Sequence, residues 1–101
     1  MPWRIAANES DLRDNDVVAA EVEGQHIALY RIEGEVFATS NICSHQFALL
    51  SDGFVEDGCI ECPLHAAQFN IRTGDLICGP ATTSIASYPV KVENGQVLVD
   101  L

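Results

Sequence analysis

Positive charge is scarce in this 101-residue chain, in which five Lys and Arg stand against fifteen Asp and Glu for a formal net charge of −10. A chain this acidic lacks the cations that neutralise phosphates, which argues against nucleic acid or an anionic membrane as partner. A basic protein surface suits it better. Long apolar runs are missing too: nothing approaches the roughly 20 residues of a membrane-spanning helix. The opening Met1-Pro2-Trp3-Arg4 has neither the basic nor the apolar region of a secretory signal. A soluble cytoplasmic protein is therefore expected. Repeats, low-complexity tracts and linkers are absent, so the length fits one domain near the lower comfortable size for a single core.

Histidine is sparse as well, with three residues, and two of them sit beside cysteines. Cys43-Ser44-His45 is followed, after sixteen residues, by Cys62-Pro63-Leu64-His65. Four cysteines in a short secreted chain could form two disulfides. With no signal segment and with these histidines alongside, a metal centre is the better reading. Two thiolates and two imidazoles complete the ligand set of a zinc ion or of a [2Fe–2S] cluster with one all-sulfur iron and one histidine-bound iron. A finger-type zinc site usually draws both cysteines from one knuckle and both histidines from another. Here each knuckle supplies one of each, the distribution a dinuclear cluster needs if Cys43 and Cys62 hold one iron and His45 and His65 the other. A zinc-binding interaction module stays open as the alternative.

Short alternating apolar stretches, punctuated by X-Gly pairs, predict an all-β chain. Strands are expected over 3–7, 17–22, 26–32, 35–40, 54–56, 59–61, 68–71, 76–78, 85–93 and 96–101. Glu23-Gly24, Glu33-Gly34, Asp57-Gly58 and Asn94-Gly95 are the expected tight turns. Residues 8–16 are polar; Ser10 could cap one helical turn there, or the segment is a plain loop. The strand over 85–93 is expected to bend or lie at an edge near Pro89, which cannot donate to a ladder. Residues 1–40 and 81–101 would form a base built from both termini, and residues 41–80 an insert carrying the metal. The hairpin at Asp57-Gly58 folds that insert back, so the second knuckle returns beside the first.

The paired motifs C-x-H and C-x-x-H, with Pro63 after the second cysteine, resemble the Rieske pattern. Nearly the whole chain is similar to the small Rieske ferredoxins of bacterial aromatic ring-hydroxylating dioxygenases, notably in "NICSH", "SDGFVEDGCIECPLH", "FNIRTGDLICGPAT" and "YPVKVENGQVLVDL". The resemblance implies an antiparallel β-sandwich or barrel base with a cluster-binding subdomain at one tip. Its cofactor would be one Rieske-type [2Fe–2S] cluster on Cys43, His45, Cys62 and His65, covered by the Gly79-Pro80 loop and shielded by Phe47. It also implies a monomeric one-electron carrier between a flavin-dependent NAD(P)H reductase (a flavoprotein ferredoxin reductase) and a terminal Rieske oxygenase. The small Rieske-like subunit of nitrite reductase is similar in size. Respiratory Rieske proteins carry a disulfide where this chain has Ala48 and Leu64, and cluster-bonding Ser and Tyr where it has Ala67 and Phe69. Without those donors a low potential is expected, towards roughly −150 mV.

Each remaining candidate also has a bland reading. Cys59 and Cys62 form a C-x-x-C, but no helix start follows it, as thioredoxin-like chemistry would need. Cys59 and Cys78 read as packing residues in strands, and His26 as a strand-surface residue. Asp52, Glu56, Asp57 and Glu61 lie near the ligands and could steer docking onto basic surfaces, or simply be solvated. An oxygenase iron site would take two histidines and a carboxylate. Only His26 remains once the cluster is built, so no catalysis is expected in this chain.

Overall fold

Four X-Gly pairs turn the chain back on itself. At Glu23-Gly24, Glu33-Gly34, Asp57-Gly58 and Asn94-Gly95 both residues have positive φ, from 51° to 83°, the backbone of a type I′ turn and the one whose twist matches paired strands. The structure is a computed structural model that describes residues 3–43, 48–63, 67–79 and 83–101. The strands are β1 (Trp3–Asn8), β2 (Asp16–Val22), β3 (Gln25–Ile32), β4 (Glu35–Ser40), β5 (Phe54–Glu56) and β6 (Cys59–Glu61). They continue with β7 (Gln68–Asn70), β8 (Leu76–Cys78), β9 (Ser87–Tyr88), β10 (Val90–Glu93) and β11 (Gln96–Asp100). Among the described residues there is no α-helix, only the 3-10 turns Glu9–Asp11 and Leu50–Asp52. The fold is all-β.

Three antiparallel sheets result. Both chain ends meet in β1-β11-β10, β2-β3-β4-β9 forms a second sheet, and β5-β6-β7-β8 a third. The second sheet lies between the other two, as its central strand shows. Ile27 and Leu29 of β3 pack with Val97 and Val99 of β11, whereas Ala28, Tyr30 and Ile32 pack with Ile60 and Phe69 of the third sheet. A strand covered on both faces loses the in–out alternation of a half-exposed one, which is why Ile27-Ala28-Leu29-Tyr30 is an unbroken apolar run, buried throughout. Its one polar atom is answered: Thr39 gives its hydroxyl proton to the Ser40 carbonyl (2.9 Å), so the Tyr30 hydroxyl donates to Thr39 Oγ1 (2.7 Å). Burial pushes the Tyr30 pKa upward, so the phenol stays a donor.

Two expectations are corrected. The single strand expected over 85–93 is two strands in different sheets: β9 pairs with β4 and β10 with β11. Pro89 makes the switch, having no N–H for either ladder, while its carbonyl accepts from Asp100 N–H at 3.0 Å. Ser10 caps nothing; it lies inside the Glu9–Asp11 turn, where Asn8 takes the N-cap position without a side-chain hydrogen bond.

Candidate metal centre

Cys43 and Cys62 are each held by an equivalent backbone hydrogen bond. Cys43 N–H donates to the Ala48 carbonyl at 2.9 Å, and Cys62 N–H to the Ala67 carbonyl at 2.7 Å. Each bond thus closes a loop from a cysteine to an alanine five residues on. The strands or bridges below them match too: Ile42 pairs with Leu49 under the first loop and Glu61 with Gln68 under the second. Both cysteines are buried, at 3% and 1% exposure, in one apolar cluster with Ala48, Leu50, Ile60, Ala67 and Phe69. The fold brings the two sulfur-bearing residues into a single water-poor environment. His45 and His65 lie outside the described residues, as do Phe47, Leu64 and Pro80. Among the described residues, no group of three or more His, Cys, Asp or Glu side chains is placed to hold a metal ion.

Asn41 and Gly53, to which the sequence assigned no role at the site, build it together with Gly79, expected there only as part of a covering loop. Asn41 is 1% exposed and tied on every side: its N–H to the His26 carbonyl, its carbonyl to Leu50 N–H, its Oδ1 to Ser51 N–H at 2.8 Å and its Nδ2 to Ser51 Oγ at 3.0 Å. It locks both ends of the first loop. Replacing it with Ala removes both side-chain bonds, for an expected loss of about 2 kcal/mol. The expected thermal midpoint, followed by circular dichroism, falls on the order of 10 °C; an unchanged midpoint would mean Asn41 locks nothing. Gly53 and Gly79 act by having no side chain. A Cβ on Gly53 would overlap the Glu61 carbonyl oxygen, and one on Gly79 would stand 2.5 Å from Ala67 Cα. Both ends of the second loop are therefore pressed by passing backbone.

The other sulfur residues are placed differently. Cys78 is exposed, correcting the expectation that it packs in a strand; β8 is an edge strand, and Sγ points to Gln68 Oε1 at 3.3 Å. Cys59 is half-buried on β6, and burial, then Asp57, then Cys78 push its thiol pKa up. A C-x-x-C redox pair needs the opposite shift. His26 is exposed on β3, as expected. A groove of about 680 Å³, lined by Asn15, Glu33, Glu56, Asp57 and Arg72 among others, has neither Cys43 nor Cys62 in its wall.

The donor chemistry fits a cluster of iron and sulfide: two thiols in one apolar enclosure, each on a short, hydrogen-bonded loop. A profile of the Rieske [2Fe-2S] domain matches residues 2–89. The chain belongs to the Rieske [2Fe–2S] domain family. This Rieske domain is 48% identical over 99 residues to the ferredoxin component of the Pseudomonas putida naphthalene 1,2-dioxygenase system, covering 98% of this chain and 95% of that one. It superposes on the Sphingomonas yanoikuyae B1 ferredoxin with a TM-score of 0.93 at 36% identity, covering 99% of each chain. It also matches a chain from the complex of reduced oxygenase and oxidized ferredoxin in carbazole 1,9a-dioxygenase, with a TM-score of 0.89 at 32% identity over 96% of this chain and 91% of that one. The cofactor of this Rieske domain is one [2Fe–2S] cluster. Among the described residues no helix is long and apolar enough to cross a membrane.

Proposed function

We propose that this Rieske domain is a one-electron carrier that passes electrons from a flavin-dependent NAD(P)H reductase to the terminal oxygenase of an aromatic ring-hydroxylating dioxygenase. It is a transfer component, not an enzyme. The observation that carries this reading is the pair of twin loops with buried Cys43 and Cys62, in a chain similar to dioxygenase ferredoxins along nearly its whole length. Cys43 and Cys62 hold one iron through sulfur, and His45 and His65 hold the other through nitrogen. Residues 41–80 form the cluster-bearing subdomain, and residues 1–40 and 81–101 the base. The protein works as a monomer in the cytoplasm.

The bound cluster supplies reversible one-electron chemistry. The residues around it keep that chemistry selective. Ala48, Leu50, Ile60 and Phe69 exclude water from the two sulfurs. The two Cys-to-Ala hydrogen bonds fix the backbone of Cys43 and Cys62, which limits movement of the two sulfurs on electron gain. Ala67 and Phe69, fully buried, bring no hydroxyl to the site. Reduction adds negative charge, and hydroxyl donors would favour it; without them the potential lies low, towards roughly −150 mV.

Metal and sulfide analysis of natively prepared protein tests the reading. Equal amounts of iron and acid-labile sulfide, a brown-red colour and a rhombic EPR signal on reduction are expected. Stoichiometric zinc without sulfide would overturn it.

A further inference from the structure

Among the described residues Phe54 is the most exposed of the large hydrophobics, at 64%. It opens β5, an edge strand of the third sheet, and its register places it in one cross-strand row with Glu61, Gln68 and Cys78. Residues directly opposite one another across antiparallel strands share a face. Val55, Ile60, Phe69 and Leu76 fill the inner face, so this row forms the outer one. Its polar members satisfy each other: Gln68 Nε2 donates to Glu61 Oε1 at 3.0 Å, and Cys78 Sγ to Gln68 Oε1 at 3.3 Å. The Phe54 ring is left in water at the end of a pre-paired row. Glu61 and Gln68 flank the loop that begins at Cys62 and closes at Ala67, so the row adjoins the cluster site.

The charge around Phe54 has one sign. Asp52 and Glu56 are exposed two residues to either side, and Glu61 lies opposite. Among the described residues none of the three takes part in an ion pair; the three bridges found use Glu23, Glu9 and Glu93. Arg72, the one cation between residues 41 and 80, stacks on Phe37 of β4 at 4.9 Å from the ring centroid. An exposed aromatic flanked by acids that make no ion pair among the described residues has the anatomy of a docking hot spot: an apolar anchor that desolvates, with a charged rim that steers.

We infer that Phe54, rimmed by Asp52, Glu56 and Glu61, is the apolar anchor by which this Rieske domain docks on the terminal oxygenase, entering an apolar pocket with a basic rim. This rests on the carrier function proposed above. The oxygenase is the assigned occupant because a relative of this fold forms a complex with one, and because a partner seated on this row lies beside the Cys62 loop.

Stopped-flow oxidation of the reduced, cluster-loaded protein tests it. The probe is the oxygenase component of the Pseudomonas putida naphthalene 1,2-dioxygenase system, with ferricyanide as a small oxidant that needs no docking face. Phe54→Ala is expected to lower the second-order rate with the oxygenase by about tenfold or more, and to leave the ferricyanide rate and the EPR spectrum unchanged. Ile5→Ala, which trims a residue 58% exposed on the terminal sheet, is expected to react like the parent. Asp52→Asn with Glu56→Gln is expected to flatten the dependence of the rate on ionic strength. A Phe54→Ala rate equal to the parent's overturns the inference, as does equal slowing towards ferricyanide or equal slowing by Ile5→Ala. Slower reduction by a flavoprotein reductase with unchanged delivery to the oxygenase also overturns it. A parent protein that reduces ferricyanide but not the oxygenase overturns the carrier function itself, and this inference with it.

Discussion

Cys62→Ala is expected to yield a folded protein with iron and sulfide at background, no rhombic EPR signal and no electron delivery to an oxygenase. The side chain is 1% exposed in an apolar cluster, so losing its sulfur leaves a small cavity costing about 1–2 kcal/mol, below the stability of an ordinary domain. The larger loss comes through the metal, whose binding free energy is also folding free energy. A variant retaining the parent's iron content would show that Cys62 is not a ligand. Cys78→Ala and Cys59→Ala supply the contrast. Cys78 is exposed and Cys59 half-buried on the outer face of the third sheet, so both variants are expected to keep iron, colour and potential.

Gly79→Ala is expected to be strongly damaging although Gly79 is not a proposed ligand. Gly79 has φ of +109°, a region closed to residues with a Cβ. An added Cβ would also stand 2.5 Å from Ala67 Cα, 3.1 Å from its Cβ and 3.2 Å from its N. All of these belong to the residue that closes the Cys62 loop, so no flexible side-chain end is available to move. Backbone strain of about 1–3 kcal/mol and the forced shift of that loop together should cost on the order of 3–5 kcal/mol. Faster bleaching of the cluster in air is expected alongside. Gly95→Ala is the control: its φ is +76°, and nothing lies within 4 Å of the added Cβ. Only the turn strain of about 1 kcal/mol remains there. If denaturant midpoints for the two variants coincide, the close approach to Ala67 carries no weight.

The hairpins were legible because their cause is local. A residue pair such as Asn94-Gly95 can hold two successive positive φ angles wherever it occurs. The proposed ligands were legible for a related reason: sulfur and imidazole donors are few, and their order along the chain separates a two-iron arrangement from a finger-type zinc site. The shared enclosure of Cys43 and Cys62 was foreseen only as far as the Asp57-Gly58 hairpin reaches. The identical closure of the two loops was not foreseen, although an alanine stands five residues after each cysteine; alanine is too common for its spacing to signal anything alone.

By itself the sequence determined the all-β class, the turns and the family, and it supplied the donor set proposed for the cluster. These rest on backbone preferences of neighbouring residues and on the chemistry of individual side chains. The tertiary structure alone decided that β3 is covered on both faces, that Pro89 passes the chain from one sheet to another, and that Cys78 faces solvent. It alone set Gly53 and Gly79 against the two ends of the Cys62 loop, and left Phe54 in water beside that loop. Such outcomes depend on which distant strands pair and which surfaces stack, and one-dimensional order specifies those only through the sum of many weak contacts.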